Sequence, residues 1–334
     1  MTYTPRFHIT PHLLKIIEEI SVYRQKIISA TVQVPWIPIL QREARTRTTH
    51  SSTAIEGNPL TLEDVRALEE GRPVPEAGER SRREILNQLA GLRFIEKNQK
   101  KKTITPDDLF RLHKIIAAGV MDQGEAGQYR TFEVRVGSYL PPPAKEVSML
   151  MKEYLEWWNE KAMEWPAVIS SAILHYHFEE IHPFGDGNGR MGRALALWEL
   201  YRRDFDTHHI FAVDEIYWEN RPRYYAQLDA VRKANGDLTG WLEYSAEALH
   251  LTLERVLERI ERLATKETGG KIVLTPKQER LLHLLRDKGR LAPSEVWKEL
   301  KVTKQGAMKI LKPLMAAGLI RRIGTRKSGK YVMG

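Results

Sequence analysis

The chain contains no cysteine. That excludes disulfides, thiolate nucleophiles and cysteine-based zinc sites, and it fits a reducing compartment, so the expected location is the cytoplasm. No apolar run approaches the ~20 residues a membrane-spanning helix needs. The opening residues, MTYTPRFHIT, lack the basic-then-apolar layout of a secretory signal. No membrane partner is therefore expected. Internal repeats and low-complexity tracts are missing too. What remains is an ordinary globular balance, 42% hydrophobic and 28% charged over 334 residues, enough for two or three domains with real cores.

Acidic residues are scarce in one place. Between Lys271 and Gly334 there are 16 Lys and Arg but 4 Asp and Glu, a local charge of +12, while the other 270 residues carry −3 of the overall +9. A basic excess confined to one end suggests a separate module with an anionic partner; a merely solvated face is the plainer alternative.

Helical periodicity dominates the rest. Apolar side chains recur at three- and four-residue steps over 11–30, and similar patterns cover 80–97, 105–118, 145–160, 167–178, 191–203, 222–233 and 239–264. Thr61 with Asp64, and Thr105 before Pro106, are helix-start signals. Gln128–Leu140 departs from the pattern: Val134-Arg135-Val136 alternate, Gly137 and Ser138 follow, and Pro141–Pro143 close the stretch, which predicts a short hairpin. Thr265–Lys271 is polar with paired glycines and reads as a linker. Beyond it, 276–287, 293–300 and 304–317 predict three short helices, the third capped by Thr303. Segments 319–323 and 330–333 then bracket a basic turn, the pattern of a winged helix-turn-helix.

The chemistry concentrates in His182-Pro-Phe-Gly-Asp-Gly-Asn-Gly-Arg-Met-Gly-Arg193. Glycines at 185, 187 and 189 allow close backbone approach. A glycine-rich turn feeding a helix aims free N–H groups and the positive dipole end at an anion. Arg190 and Arg193, three apart, share a face beside that turn and suit phosphate groups. Asp186 can hold a divalent ion that bridges phosphates. His182, at the turn's entrance, can take a proton near neutral pH. A glycine-rich loop alone is a weak signal. A Walker-type loop is excluded because no Lys-Ser or Lys-Thr follows, and His175 and His177 lack a carboxylate at zinc-ligand spacing.

As a string, the run resembles the Fic motif, H-x-F-x-[D/E]-G-N-G-R-x-x-R, at every specified position, and FEEIHPF around it is similar to Fic proteins. The resemblance extends over about residues 1–265. It implies an all-α fold, a helical Fic core with a short β-hairpin flap, here followed by the winged helix-turn-helix. It divides the chain into an N-terminal helical segment (1–100), the core (101–264), a linker (265–274) and the C-terminal domain (275–334). It further implies a protein adenylyltransferase that moves AMP from ATP onto a Tyr, Ser or Thr hydroxyl of a target protein, with Mg2+ as cofactor. His182 would deprotonate the hydroxyl and Phe184 would hold the loop in the core. Asp186 would bind Mg2+, Gly187, Asn188 and Gly189 would form the anion hole, and Arg190 and Arg193 would grip the β- and γ-phosphates. The related Doc kinases depart from the motif at the second glycine and the final arginine; Gly189 and Arg193 favour AMP transfer.

Ser52-Thr-Ala-Ile-Glu56-Gly57 by itself reads as a helix end with Gly57 as C-cap. Beside a Fic core it resembles the inhibitory motif [S/T]-x-x-x-E-[G/N], which implies that Glu56 pairs with Arg193 and denies it to the γ-phosphate. The flap would clamp the target by strand addition. Asn220 and Tyr225 are adenine-contact candidates. On the C-terminal module, Lys304, Gln305, Lys309 and Lys312 on the third helix and Arg326, Lys327 and Lys330 on the wing are candidates for DNA, with a protein-contact role as the alternative. A homodimer is a permitted assembly. Two other functions stay open: a de-AMPylase or other nucleotide or phosphate transferase on the same site, and a DNA-binding regulator whose Fic core senses nucleotide.

Overall fold

The computed structural model describes residues 3–31, 36–206, 208–266, 274–316, 319–324 and 329–333. The chain packs as two compact units, residues 1–24 with 43–256 and residues 25–42 with 257–334. Fourteen helices are described, α1 (Pro11–Thr31), α2 (Ile37–Ile55), α3 (Leu62–Glu69), α4 (Glu79–Asn98), α5 (Pro106–Ala117), α6 (Val147–Glu156), α7 (Ala167–Ile181), α8 (Asn188–Arg202), α9 (Val213–Glu219), α10 (Arg221–Lys233), α11 (Thr239–Lys266), α12 (Pro276–Lys288), α13 (Pro293–Glu299) and α14 (Lys304–Ala316), with a single pair of short strands, β1 (Ile320–Ile323) and β2 (Lys330–Met333). The protein is mostly helical, and among the described residues no helix is long and apolar enough to cross a membrane.

Local sequence explains the helix starts. Thr61 and Thr105 each accept from the backbone three residues on, and Asp64 and Asp108 return the bond, two complete capping boxes; Pro106 follows the second. The pattern over 145–160 continues past α6 as a turn of π-helix, Trp157–Lys161, then a short 3-10 turn, Ala162–Glu164. It buries Trp157 and Trp158, and Trp158 Nε1 donates to the buried Glu199 at 2.7 Å. The periodicity missed α2 and α9. α2 carries polar residues on most faces because its buried threonines and serines, Thr46 to Thr53, face other helices rather than water.

α7 and α8 form the central antiparallel pair. Nearly all of α7 is buried, including Ile173, Leu174, Phe178 and Ile181, and α8 brings Met191, Leu195 and Trp198 against it. A helix buried on nearly all faces is a core helix, so the turn joining α7 to α8 starts from a fixed support and stays partly open on its outer side.

The expected hairpin at 128–140 shrinks to a single bridge, in which Val136 and Tyr139 exchange backbone hydrogen bonds of 3.0 and 2.9 Å around Gly137. The returning strand would run into Pro141–Pro143, which have no N–H to donate, so the ladder stops after one pair. Arg130 supplies the missing order. Its buried guanidinium donates to the carbonyls of His182 (2.9 Å), Phe132 (3.2 Å), Pro142 (2.6 Å) and Ile181 (3.4 Å), fastening this segment to the α7–α8 turn.

In the second unit, α12, α13 and α14 enclose Leu281, Leu285, Val296, Leu300, Leu311 and Leu314. β1 and β2 pair antiparallel from Ile320 opposite Met333 to Ile323 opposite Lys330, and Leu291 bridges to Tyr331. Thr303 Oγ1 accepts from Gly306 N at 3.1 Å at the start of α14. Most of the expected linker, residues 267–273, lies outside the described residues.

Candidate active site

The site is built on the turn between α7 and α8. His182 ends α7 in the left-handed region, φ 50° and ψ 60°, an uncommon conformation for a residue with a side chain. Its backbone N–H still donates to Phe178 O at 2.9 Å. Burial pushes the imidazole pKa down to about 4, so the ring is neutral at ordinary pH.

Two residues lock the loop below it. Phe184 is fully buried and stacks on His113, with ring centroids 3.7 Å apart and planes 5° from parallel. Asn188 closes a ring with the Phe184 backbone, accepting from its N–H and donating to its C=O, both at 2.9 Å. His113 Nδ1 accepts from Gly127 N at 2.8 Å, so Nε2 carries the proton and donates to Asp186 O at 2.9 Å. Burial also pushes His113 down to about 4. Asp186 is thus held by its backbone, and its carboxylate accepts from Gly187 N at 2.5 Å and Asp122 N at 3.2 Å while staying partly exposed.

Gly187, φ 77°, turns the chain into α8, and no side chain caps that helix among the described residues. Its first N–H groups point out of the helix start with no described side chain accepting from them, the geometry that suits an anion. A Cβ on Gly189 would run into Glu56 Oε1, so the glycine is what lets the carboxylate come down on the helix start. Arg190 is 4% exposed, with Nη2 3.8 Å from Asp186 Oδ1. Its Nε and Nη1 are buried and make no hydrogen bond to any described residue.

Arg193 is equally buried and fully engaged. Nε donates to Ser52 Oγ at 2.9 Å; Nη2 donates to Ser52 O at 2.8 Å and to Glu56 Oε1 at 2.7 Å; Nη1 reaches the Tyr224 hydroxyl at 3.5 Å. Burial works against its charge, but Glu56, Tyr224 and Asp214 together hold its pKa above the ordinary guanidinium value. Ser52 is in the last turn of α2, and Glu56 follows that helix where Gly57 takes φ 96°.

Of the adenine candidates, Tyr225 lies beside this helix end, its hydroxyl donating to Ile55 O at 3.3 Å and its ring under Arg221. Asn220 caps α10, accepting from Arg223 N at 3.2 Å; its side chain bonds to none of the described motif residues. Lys304, Gln305, Lys309 and Lys312 are exposed on α14, as is Lys330 on β2, while Arg326 and Lys327 lie outside the described residues.

Residues 103–200 match the profile of the Fic/DOC family. The chain carries a Fic domain. The Fic domain's relatives include the protein adenylyltransferase fic-1 of Caenorhabditis elegans, 31% identical over 248 residues, 72% of this chain and 47% of that protein. The protein adenylyltransferase Fic of Culex quinquefasciatus is 29% identical over 248 residues, 70% of this chain and 47% of that protein. The chain thus spans about half the length of the curated relatives it matches. Among solved structures, a Fic family protein from Desulfovibrio desulfuricans G20 superimposes with a TM-score of 0.68 at 27% identity, covering 99% of this chain and 98% of that one. Fic-1 from C. elegans gives 0.63 at 27% identity, covering 75% and 73%.

Sequence reasoning missed four residues of the site: His113, Arg130, Glu179 and Asp214. Glu179 stood in the FEEIHPF string and was open to reading. The others sit 69, 52 and 32 residues from His182, on segments with no motif of their own.

Proposed function

We propose that this chain is a protein adenylyltransferase restrained by Glu56. The observation that carries the reading is Arg190. A buried guanidinium with two nitrogens that bond to no described residue, 3.8 Å from the nearest carboxylate and beside a helix start that no described side chain caps, suits an anion, since unmet buried donors are costly. A triphosphate fits that need, with its tail on Arg190 and Arg193 and its inner phosphate against the N–H groups at Asn188 and Gly189, and at Gly187 once Asp186, which now accepts from it, turns to Mg2+. His182, neutral and 17% exposed at the rim, takes the proton of the target hydroxyl. The oxygen attacks the α-phosphorus and pyrophosphate leaves, so holding the tail sets the line of attack. Among the described residues no cluster of three acidic or histidine side chains could hold a metal alone. Asp186 offers one partly exposed carboxylate, which suits a Mg2+ completed by phosphate oxygens and water. Phe184 serves by holding the loop on His113.

Glu56 and the γ-phosphate compete for Arg193. The contact of 2.7 Å to a guanidinium also bonded to Ser52 supports a brake that leaves ATP bound with its α-phosphate turned away. Tyr225, exposed beside Ile55, is the adenine contact in this reading. Two assays test the whole. With α-labelled ATP, Glu56→Gly should raise self-labelling, and His182→Ala in that background should lower it by ~10²–10⁴-fold, the usual worth of a general base. Undiminished labelling without the imidazole would remove it as the base.

The domain reading assigns 1–100 to the regulatory segment, 101–264 to the core and 275–334 to a winged helix-turn-helix. Three short helices, the β1–β2 pair and the charge of +12 support the last. Lys304, Gln305 and Lys309 would face a major groove, with Lys330, Arg326 and Lys327 meeting phosphates. A gel shift on duplex DNA should weaken steeply with salt; no shift at low salt would turn the module into a protein contact. The absence of cysteine supports a cytoplasmic location.

A further inference from the structure

The Glu179 carboxyl and the His182 imidazole come close at the end of α7 without a hydrogen bond between them. Glu179 is in the last turn of α7 and His182 caps that helix three residues on. Glu179 Oε2 lies 3.8 Å from His182 Nδ1, beyond hydrogen-bond reach. Nδ1 and the other carboxyl oxygen, Oε1, are both buried and make no hydrogen bond to any described residue. The surroundings make room for the carboxyl. A Cβ on Gly192 of α8 would sit 2.7 Å from Oε1 and 3.3 Å from the His175 ring, so this glycine forms the notch in which the side chain rests.

A neutral imidazole has one N–H, and where it sits decides what the other nitrogen can do. A proton on Nε2 would make that nitrogen a donor toward the target hydroxyl, unable to accept from it. Resting on the reading of His182 as the base, we propose that Glu179 is a positioning residue: in the working enzyme its carboxyl oxygen accepts a hydrogen bond from His182 Nδ1–H, leaving Nε2 bare toward the target. Closing the gap takes about 1 Å, within the reach of a small rotation of either side chain.

The charges around the pair agree. Burial raises Glu179 to about 7 despite the opposing pull of Arg193, with Glu56 and Arg232 acting more weakly. Burial also keeps His182 neutral, helped by Arg130 and Arg232 and opposed by Glu56. The carboxyl need not be ionised to do this work, because a protonated carboxyl still offers its carbonyl oxygen. The competing acceptor is the backbone carbonyl of Glu179, which also approaches the ring.

The test uses the Glu56→Gly protein with α-labelled ATP, and the ring nitrogen shifts of His182, identified by their loss in His182→Ala. Glu179→Leu should lower kcat by ~10–100-fold, as loss of a group orienting a functional histidine does, with KM for ATP changed less than about twofold. Its His182 should lose the Nδ1–H tautomer. Glu179→Gln, which keeps an acceptor, should hold the tautomer and recover most of kcat. If the Leu variant does not fold, Gly192→Ala displaces the carboxyl instead and should shift the tautomer in the same way. A Leu variant with unchanged kcat and tautomer would mean the backbone carbonyl orients the ring, and the proposal falls. Equal losses in Leu and Gln would also overturn it. If His182→Ala itself keeps activity, the base assignment fails first, while the tautomer readout still reports on Glu179.

Discussion

Arg190 and Arg193 leave the first two turns of α8 three residues apart, and both are buried. Arg193 has a complete set of partners within the chain: a hydroxyl and a carbonyl from Ser52, the Glu56 carboxylate and the Tyr224 hydroxyl. Arg190 has two buried nitrogens with no described partner and a carboxylate no closer than 3.8 Å. Burying a guanidinium is tolerable only when it is paired, so the two arginines differ in where the partner comes from. One is answered by described residues of the chain itself; in the proposed function the other meets a phosphate. In that reading Glu56 regulates chiefly by holding Arg193, while Arg190 stays open to the phosphates.

The largest effect should come from the unanswered side. Arg190→Ala in the Glu56→Gly protein should lower AMP transfer by about 10²–10³-fold, the cost of removing one donor that meets developing charge. Arg190→Lys should recover little, because a single ammonium cannot replace a planar fork. Near-normal transfer in Arg190→Ala would erase the contrast.

On the answered side the sign reverses. Glu56→Gly removes a charge-assisted bond worth about 1.5–3 kcal/mol, so self-labelling should rise by about 10- to 150-fold. The double change Glu56→Gly, Arg193→Ala should lose that gain, since no carboxylate is then being displaced from the arginine. A gain that survives the loss of Arg193 would place the brake elsewhere.

Between these two changes lies Gly192, whose notch holds Glu179. Gly192→Ala drives a Cβ to 2.7 Å from a buried carboxyl oxygen. Overpacking of this kind costs about 1–3 kcal/mol, a fall of a few degrees in Tm for a unit of this size. An unchanged Tm would show that the carboxyl moves aside freely.

The site was legible to the extent that its parts are contiguous. His182 through Arg193 could be read because a turn, a helix start and two arginines at a spacing of three are all local facts. Glu56 needed a second short string. His113 and Arg130 were invisible because their work is done through a few atoms across long separations: a ring nitrogen on the Asp186 carbonyl, and a guanidinium that ties the carbonyls of Ile181 and His182 to those of Phe132 and Pro142. The helices were largely readable from period and caps, but α2 was not, since its inward face is threonine and serine. The hairpin was over-read because alternation at 134–136 was visible while the inability of Pro141–Pro143 to continue a ladder outweighed it.

The smallest effect separates the arginines through a histidine. His175 is buried beside Arg193 and pairs with the Tyr224 hydroxyl at 3.1 Å; burial, then the nearby guanidinium, push its pKa down to about 3. Unfolded, it titrates near 6.5. The folded value is the lower one, so the unfolded chain takes up the proton first as the medium is acidified. The stability His175 provides is therefore complete above about pH 6.5 and drains as pH falls toward 3, by at most about 1.4 kcal/mol per pH unit. The buried Glu179 and Asp214, raised to about 7 and about 6, act in the opposite sense as pH rises, so the histidine must be isolated by difference. Denaturant unfolding of the parent and of His175→Phe from pH 7 to 5 should give a shallower acid dependence in the variant. Parallel curves would mean that the ring can take a proton in the folded state, and that Arg193 is less enclosed than its contacts imply.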